Sequence, residues 1–268
     1  MVIMKDKQLI TEKLFRVTEN MKKIRFIKAH SDVTDEILLK AAVVSIRNPY
    51  HNFGHAIGAT EQAMRLAIAE GRSRSEINLV AYTMLFHDGG HSGTPKKRDE
   101  PHAYSLAKSV LTPSDTIVIG KNHAKVMRRI KELLLSTIFP GNRGQTTDGL
   151  IKIIHDADLA HIGQGPIYWI WASMGLYDEF KLKEPGLTLE VFIRERQPKF
   201  VNFLTKLSGT GKAFVSDGAQ KIFRDPTRDV LLVKNWPIEA IEYAHSICKD
   251  NVSLARFKRE IGPLLKVA

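Results

Sequence analysis

Three short strings hold the residues of this chain that could do chemistry. They are Tyr50-His51-Asn52-Phe53-Gly54-His55, His87-Asp88-Gly89-Gly90-His91 and His155-Asp156-Ala157-Asp158-Leu159. A lone histidine near a helix end is ordinarily a cap or a solvated surface residue. Three sets that pair imidazole with Asp or Asn call for more, because burying such groups unpartnered costs roughly several kcal/mol each, and a divalent cation is the usual compensation. Cys248, the single cysteine, can form neither an internal disulfide nor a thiolate cage, so His, Asp and Glu are left as ligands. That mixed nitrogen and oxygen set suits Zn, Mn, Fe, Co or Mg at a catalytic centre rather than a structural zinc cage.

Such a centre needs rigid elements to converge on it. His51 and His55 stand four apart and share one face if their segment is helical. His87-Asp88 closes the apolar period Val80, Met84, Leu85, and the third string follows the aliphatic run Ile151 to Ile154. Helical spacing recurs at Ile37, Leu38, Ala41, Ala42 and Ile46. It predicts further helices near 58–70, 101–111, 121–137, 149–158, 165–180, 188–207 and 237–249. Gly71, Pro113, Pro140-Gly141, Gly163 to Pro166, Pro185-Gly186 and Pro237 mark the breaks. Two short runs, Thr116-Ile117-Val118-Ile119 and Val230-Leu231-Leu232-Val233, carry weak strand signals with no hairpin turn beside them. The expected class is all-α, a compact multi-helix domain with a metal site between helices.

Lys and Arg number 40 against 29 Asp and Glu, a net charge of +11, so the surface attracts anions and a phosphorylated ligand is expected. One basic stretch, Lys121 to Lys131 around His123, reads as a solvated face, with steering of phosphorylated ligands or docking on nucleic acid as the alternative. The first residues lack a signal-peptide core, and no segment approaches the roughly 18 apolar residues of a membrane span. With one cysteine besides, the expected setting is the cytoplasm, with no membrane partner.

The order His55, His87-Asp88, Asp158 resembles that of the HD-domain metal-dependent phosphohydrolase superfamily. Within it the sequence is most similar to the catalytic domain of the class I cyclic nucleotide phosphodiesterases. Their Tyr-His-Asn-x-x-His-Ala string is matched at every fixed position by Tyr50 to Ala56. His87-Asp88-x-x-His91-x-Gly93 resembles the second metal motif and Ala157-Asp158-Leu159 the third, while Glu100, two residues before His102, stands where the family has a glutamate near its second metal. The motifs fall within 50–203, with 1–45 and 210–268 as unmatched flanks of one domain spanning 1–268. Two departures stand out. Ile138 follows Leu134-Leu135-Ser136-Thr137 where the family continues into Asp, and Ala160-His161 follow Leu159 without the family's Asn.

The resemblance implies two divalent ions, with Zn, Mn, Fe or Co at a tight site of His55, His87, Asp88 and Asp158, and Mg or Mn at a second site bridged by Asp88. It implies that a metal-bridging hydroxide attacks phosphorus, that His91 and Glu100 orient metal-bound waters, and that His51 is the general acid for the departing sugar oxygen. An unperturbed imidazole pKa of about 6.5 suits that task. Gln197 and Phe200, three apart, resemble the family's purine clamp, although helical spacing alone gives an exposed Gln and a core Phe. Tyr50 and His161 are placed with them on the substrate side. Phosphodiester hydrolysis of a cyclic nucleotide is the leading expectation. A nucleotide or deoxynucleotide phosphohydrolase of the wider superfamily and a nucleic-acid-binding module are the alternatives. A guanosine tetraphosphate hydrolase fits less well, since Gly89-Gly90 replace the carboxylates such enzymes carry after His-Asp.

Overall fold

A computed structural model describes residues 18–45, 48–92, 99–138, 145–249 and 254–264. Ile46, Gly93 and Pro140-Gly141, used above as sequence markers, lie outside the described residues. Among the described residues there is no strand, only one isolated bridge between Ser45 and Gly89. Helix α1 (Thr18–His30) is followed by α2 (Asp35–Val44), α3 (Phe53–Ala69), α4 (Arg74–Phe86), α5 (Asp99–Val110), α6 (His123–Ser136) and α7 (Gly149–Asp158). After a 3-10 turn at Ala160–Gly163 come α8 (Pro166–Lys183), a π turn at Phe192–Arg196, α9 (Gln197–Leu207), α10 (Asp217–Ile222), α11 (Pro226–Lys234), α12 (Ile238–Lys249) and α13 (Leu254–Ile261).

The two weak strand signals resolve differently. Val230 to Val233 lie within α11, whose first residue, Pro226, is pre-set for a helical start. Thr116 ends a single helical turn, Pro113–Thr116, and Ile117 to Ile119 form the turn that leads to α6. Helical packing thus overrides β-branched propensity at 230–233, whereas at 117–119 the chain turns instead.

Helices α3 and α4 pack along each other and carry the site at their ends. Ala56, Ile57, Ala63, Met64 and Leu66 of α3 and Val80, Ala81, Met84 and Phe86 of α4 are essentially removed from solvent. Small residues on α3 let the axes approach and the larger ones fill the gap. Helix α4 starts from a capping box between Ser73 and Glu76 and runs to Phe86, delivering His87-Asp88 from a fixed end. Helix α7 packs on both α3 and α4 and is capped by Asp148, which accepts hydrogen bonds from the Leu150 and Ile151 amides. Helix α8, with Trp169 and Ile170 fully buried, packs on the 160–163 turn and joins α11, α12 and α13 to the whole.

Gly90 shows how tightly the second string is held. Its φ is +70°, a Cβ there would lie 2.4 Å from the His102 ring, and its amide donates to the Val44 carbonyl at 3.0 Å. Gly90→Ala is therefore expected to lower stability by about 1–2 kcal/mol, the usual cost of left-handed backbone in an L-residue. The clash itself is partly relieved because His102 is exposed. An unchanged thermal unfolding midpoint would remove this constraint on the loop.

Candidate metal centre and its acid–base neighbour

Asn52 turns the first string into a helix start. Its Oδ1 accepts the amides of Gly54 at 2.9 Å and His55 at 3.3 Å, and its Nδ2 donates to the Asn48 carbonyl at 2.9 Å. The cap places His55 in the first turn of α3 and leaves His51 just before it. The α4 end brings His87 and Asp88, and the last residue of α7 is Asp158.

These ends meet. His55 Nε2, His87 Nε2 and Asp158 Oδ1 lie 3.2 to 3.3 Å from one another. Asp88 Oδ2 stands 3.3 Å from His55 Nε2 and 3.1 Å from His87 Nε2, yet without the alignment of a hydrogen bond, so it is a buried carboxylate oxygen with no hydrogen-bond partner. His87 Nδ1 faces the Met84 carbonyl at 2.7 Å and must donate to it, which leaves Nε2 with a lone pair turned inward. His55 Nε2, His87 Nε2 and Asp158 Oδ1 group as donors for one divalent cation, and the orphaned Asp88 Oδ2 beside both imidazole nitrogens adds a fourth donor of fitting chemistry. The electrostatics agree. Burial opposes ionisation of Asp88 and Asp158, but the neighbouring histidines outweigh it and hold both carboxyls below their usual range. Burial likewise disfavours a charged His87, while Asp88 and Asp158 push its pKa well above that of ordinary histidine. Positive charge is what this cluster stabilises.

A second group stands beside the first. Glu179, nearly inaccessible, accepts the backbone N–H groups of Tyr50 at 3.1 Å and His51 at 3.0 Å, and its other oxygen takes His51 Nδ1 at 2.5 Å. Gly175, one turn earlier on α8, makes this possible, because a Cβ there would stand 3.1 Å from the Pro49 carbonyl. His91 stacks on His51 with ring centroids 4.0 Å apart and planes 27° from parallel. His51, His91 and Glu179 offer three donor atoms, but stacked rings keep their lone pairs in two nearly parallel planes about 4 Å apart, poorly suited to one shared cation. His55 and His87, tilted by 50°, do not have that obstacle. The second group is better read as a charged acid held by a carboxylate. Burial works against protonation of His51, yet Asp88 and Glu179 overcome it and raise its pKa above the usual value.

Similarity to known proteins lies in the structure. No protein-family model and no curated protein matches the chain. Among solved structures, the phosphodiesterase domain of the RhoPDE fusion protein from the choanoflagellate Salpingoeca rosetta is similar, with a TM-score of 0.56 at 16% identity over 86% of this chain and 91% of that one. The phosphodiesterase domain of Salpingoeca rosetta rhodopsin phosphodiesterase gives a TM-score of 0.59 at 16% identity, over 89% of this chain and 92% of that one. This is a phosphodiesterase-domain fold. LmjPDEB1 in complex with IBMX is also similar, with a TM-score of 0.56 at 17% identity over 84% of this chain and 88% of that one.

The other residues singled out in the sequence take these places on the phosphodiesterase fold. Tyr50 is packed against the His55 ring, and its hydroxyl meets His161 Nδ1 at 2.9 Å. His161 is buried, and burial, with the His55 charge behind it, pushes its pKa down to about 3, so it is neutral. Glu100 has a buried Oε2 with no hydrogen-bond partner. Burial first, then Asp99, Asp158 and Asp88, raise its pKa, which puts it in the field of both candidate ligand carboxylates. Gln197 opens α9 directly after the π turn, buried, with its Oε1 lacking a partner, and Phe200 packs partly against the core. Gln197 is therefore not the exposed residue that helical spacing alone gives.

The third string divides. Asp158 joins the cluster, but Asp156 is fully buried elsewhere, accepting the Val215 amide at 2.9 Å and the Ser216 amide at 2.7 Å. His155 Nε2 meets the Ser136 carbonyl at 2.7 Å and ties α7 to the end of α6. Only one of the string's ionisable residues faces the histidines. Glu179 was missed by sequence reasoning, although the pair Asp178-Glu179 near the end of an apolar helix sits where the macrodipole disfavours acid and so asks for a partner. Asp99 was missed as well. It lies 3.8 Å from His91 Nε2 and accepts Ser92 Oγ at 3.0 Å.

Proposed function

We propose that the chain is a metal-dependent phosphohydrolase, read as one catalytic unit over 1–268, that hydrolyses the phosphodiester of a cyclic nucleotide. The observation that carries this reading is the His51–Glu179 pair standing directly beside the four-donor cluster of His55, His87, Asp88 and Asp158. Divalent ions held by those four residues, Asp88 serving both, would supply an activated water and neutralise charge on the phosphate oxygens. His51 does the rest of the bond-breaking work. As water adds to phosphorus, giving up one proton to solvent, and the bond to the sugar oxygen breaks, the protonated imidazole gives its Nε2 proton to that oxygen and is recharged from solvent afterwards. Glu179 holds His51 Nδ1 and both flanking amides, which fixes the ring and keeps it charged until transfer. Stacking on His91 restrains the same ring from its other face. Glu100 and His91 border this space and orient water. Gln197 Oε1, buried and unpaired, is an acceptor for one edge of a base, Phe200 is a surface for its ring, and Tyr50 and His161 close the wall beside His55.

Two tests belong here. His51 acts protonated, so the rate falls as pH rises through its raised pKa. Glu179→Gln removes a carboxylate that supports that charge, so the alkaline limb should move to lower pH with bound metal unchanged. An alkaline limb left in place would detach Glu179 from the acid. For the pocket, Phe200→Ala should raise KM for the nucleotide by about ten-fold, near the low end of 1–3 kcal/mol for base stacking, and Gln197→Ala should blur discrimination between bases. Bis(p-nitrophenyl) phosphate, which has no base, should be hydrolysed equally by both variants. Unaltered nucleotide kinetics in both would return the pair to ordinary helix packing and the substrate to the wider phosphohydrolase class.

A further inference from the structure

The turn between Thr116 and α6 carries two large apolar side chains into solvent. Ile117 is 61% exposed and Val118 38% exposed, whereas most valines and isoleucines among the described residues sit in the core. The turn is not loosely draped. Tyr82 Oη donates to the Asp115 carbonyl at 2.8 Å, Asn78 Nδ2 to the Val118 carbonyl at 3.2 Å and Ser75 Oγ to the Ile119 carbonyl at 2.5 Å. Three side chains of α4 thus fix the backbone while Ile117 and Val118 point outward.

A basic surface begins at once. Lys121, Lys125 and Arg128 are exposed; Lys121 lies just before the Asn122 cap of α6, and Lys125 and Arg128 follow in its first turns. None of the three forms an ion pair among the described residues, whereas the nearby carboxylates are already matched: Asp115 by Lys40 at 2.7 Å and Asp32 by Arg74 at 2.9 Å. Rigid apolar tip and unmatched cations together are the pattern that seats a protein on an anionic lipid surface, the apolar side chains entering the headgroup boundary and the cations meeting lipid phosphates. Nucleic acid would use the cations but has no use for an isoleucine and a valine held out in water.

We propose that the 117–118 tip and the Lys121, Lys125, Arg128 face dock this protein peripherally on anionic membranes. No helix among the described residues is long and apolar enough to cross a membrane, and the proposed contact uses surface side chains alone. The placement suits it. From the first turns of α4, Asn78 holds Val118 and Ser75 holds Ile119, while His87 lies just beyond its last residue, so the held turn sits roughly 14–18 Å, at 1.5 Å per residue, from the metal-cluster end of the helix. The site would face away from the bilayer.

The test is vesicle flotation of the full chain with phosphatidylcholine vesicles, with and without phosphatidylglycerol. Binding should appear only with phosphatidylglycerol. The pair Ile117→Asn and Val118→Asn should weaken it at least ten-fold, and Lys121→Gln, Lys125→Gln and Arg128→Gln together about a hundred-fold, at about five-fold per cation. These variants replace exposed side chains, and an unchanged circular dichroism melt confirms their fold. The proposal fails if the parent does not float with anionic vesicles, or if the Ile117 and Val118 variant floats as well as the parent. It also fails if a mixed-sequence RNA is retained independently of the tip while vesicles are not. Flotation reads no catalysis, so its outcome is separate from that of the proposed activity.

Discussion

Asp88→Ala should abolish both metal uptake and hydrolysis. Asp88 Oδ2 is within 3.3 Å of both inward imidazole nitrogens, is buried and has no hydrogen-bond partner, so its removal deletes the anion that two cations would share. Losing a first ligand from a site of this kind is expected to lower activity by about four orders of magnitude or more, on the scale of removing the main source of charge stabilisation. Elemental analysis of the purified variant should find metal well below one equivalent while the parent takes up close to two. A variant that hydrolysed normally after chelation would contradict the whole assignment of the cluster.

His51→Ala should behave differently, and the difference separates proton donor from ligand. His51 is bound through Nδ1 to Glu179 and is not among the grouped donors His55, His87 and Asp158. Its loss should leave metal content at the parent level and reduce turnover roughly 10²–10⁴-fold, the usual weight of general acid catalysis. The deficit should shrink for an activated ester such as bis(p-nitrophenyl) phosphate, whose leaving group needs no proton. His55→Ala, four residues on, should lose the metal instead. Equal metal loss in the two variants would show that the first histidine is a ligand and that the pairing with Glu179 serves another purpose.

Much of this was legible in the chain because chemistry and punctuation coincide in it. Helices at 149–158 and 238–249 follow from apolar periods, the second bounded by Pro237, and the His87-Asp88 end follows from the apolar period before it. Long-range partners were not legible. Glu179 lies 128 residues from His51, on a helix apolar almost all round, and only the approach allowed by Gly175 brings it into contact. Within the third string, spacing could not tell Asp158 from Asp156, since which carboxylate faces the histidines depends on how α7 is rolled against α3 and α4. The β-branched run at 116–119 misled in the opposite sense. Its residues look like a strand because they are β-branched, yet Thr116 is buried and Ile119 packs against the core at a turn that leaves Ile117 and Val118 exposed.

The measurement that bears most directly on the central claim is liquid chromatography of products from metal-loaded protein offered cyclic mononucleotides, cyclic dinucleotides, nucleotides and deoxynucleoside triphosphates in parallel. The account predicts that a cyclic nucleotide is opened to its monophosphate, that a chelator stops the reaction and that added metal restores it. Turnover of deoxynucleoside triphosphates or acyclic nucleotides with every cyclic substrate left intact would contradict it and assign the same cluster to a different phosphohydrolase reaction.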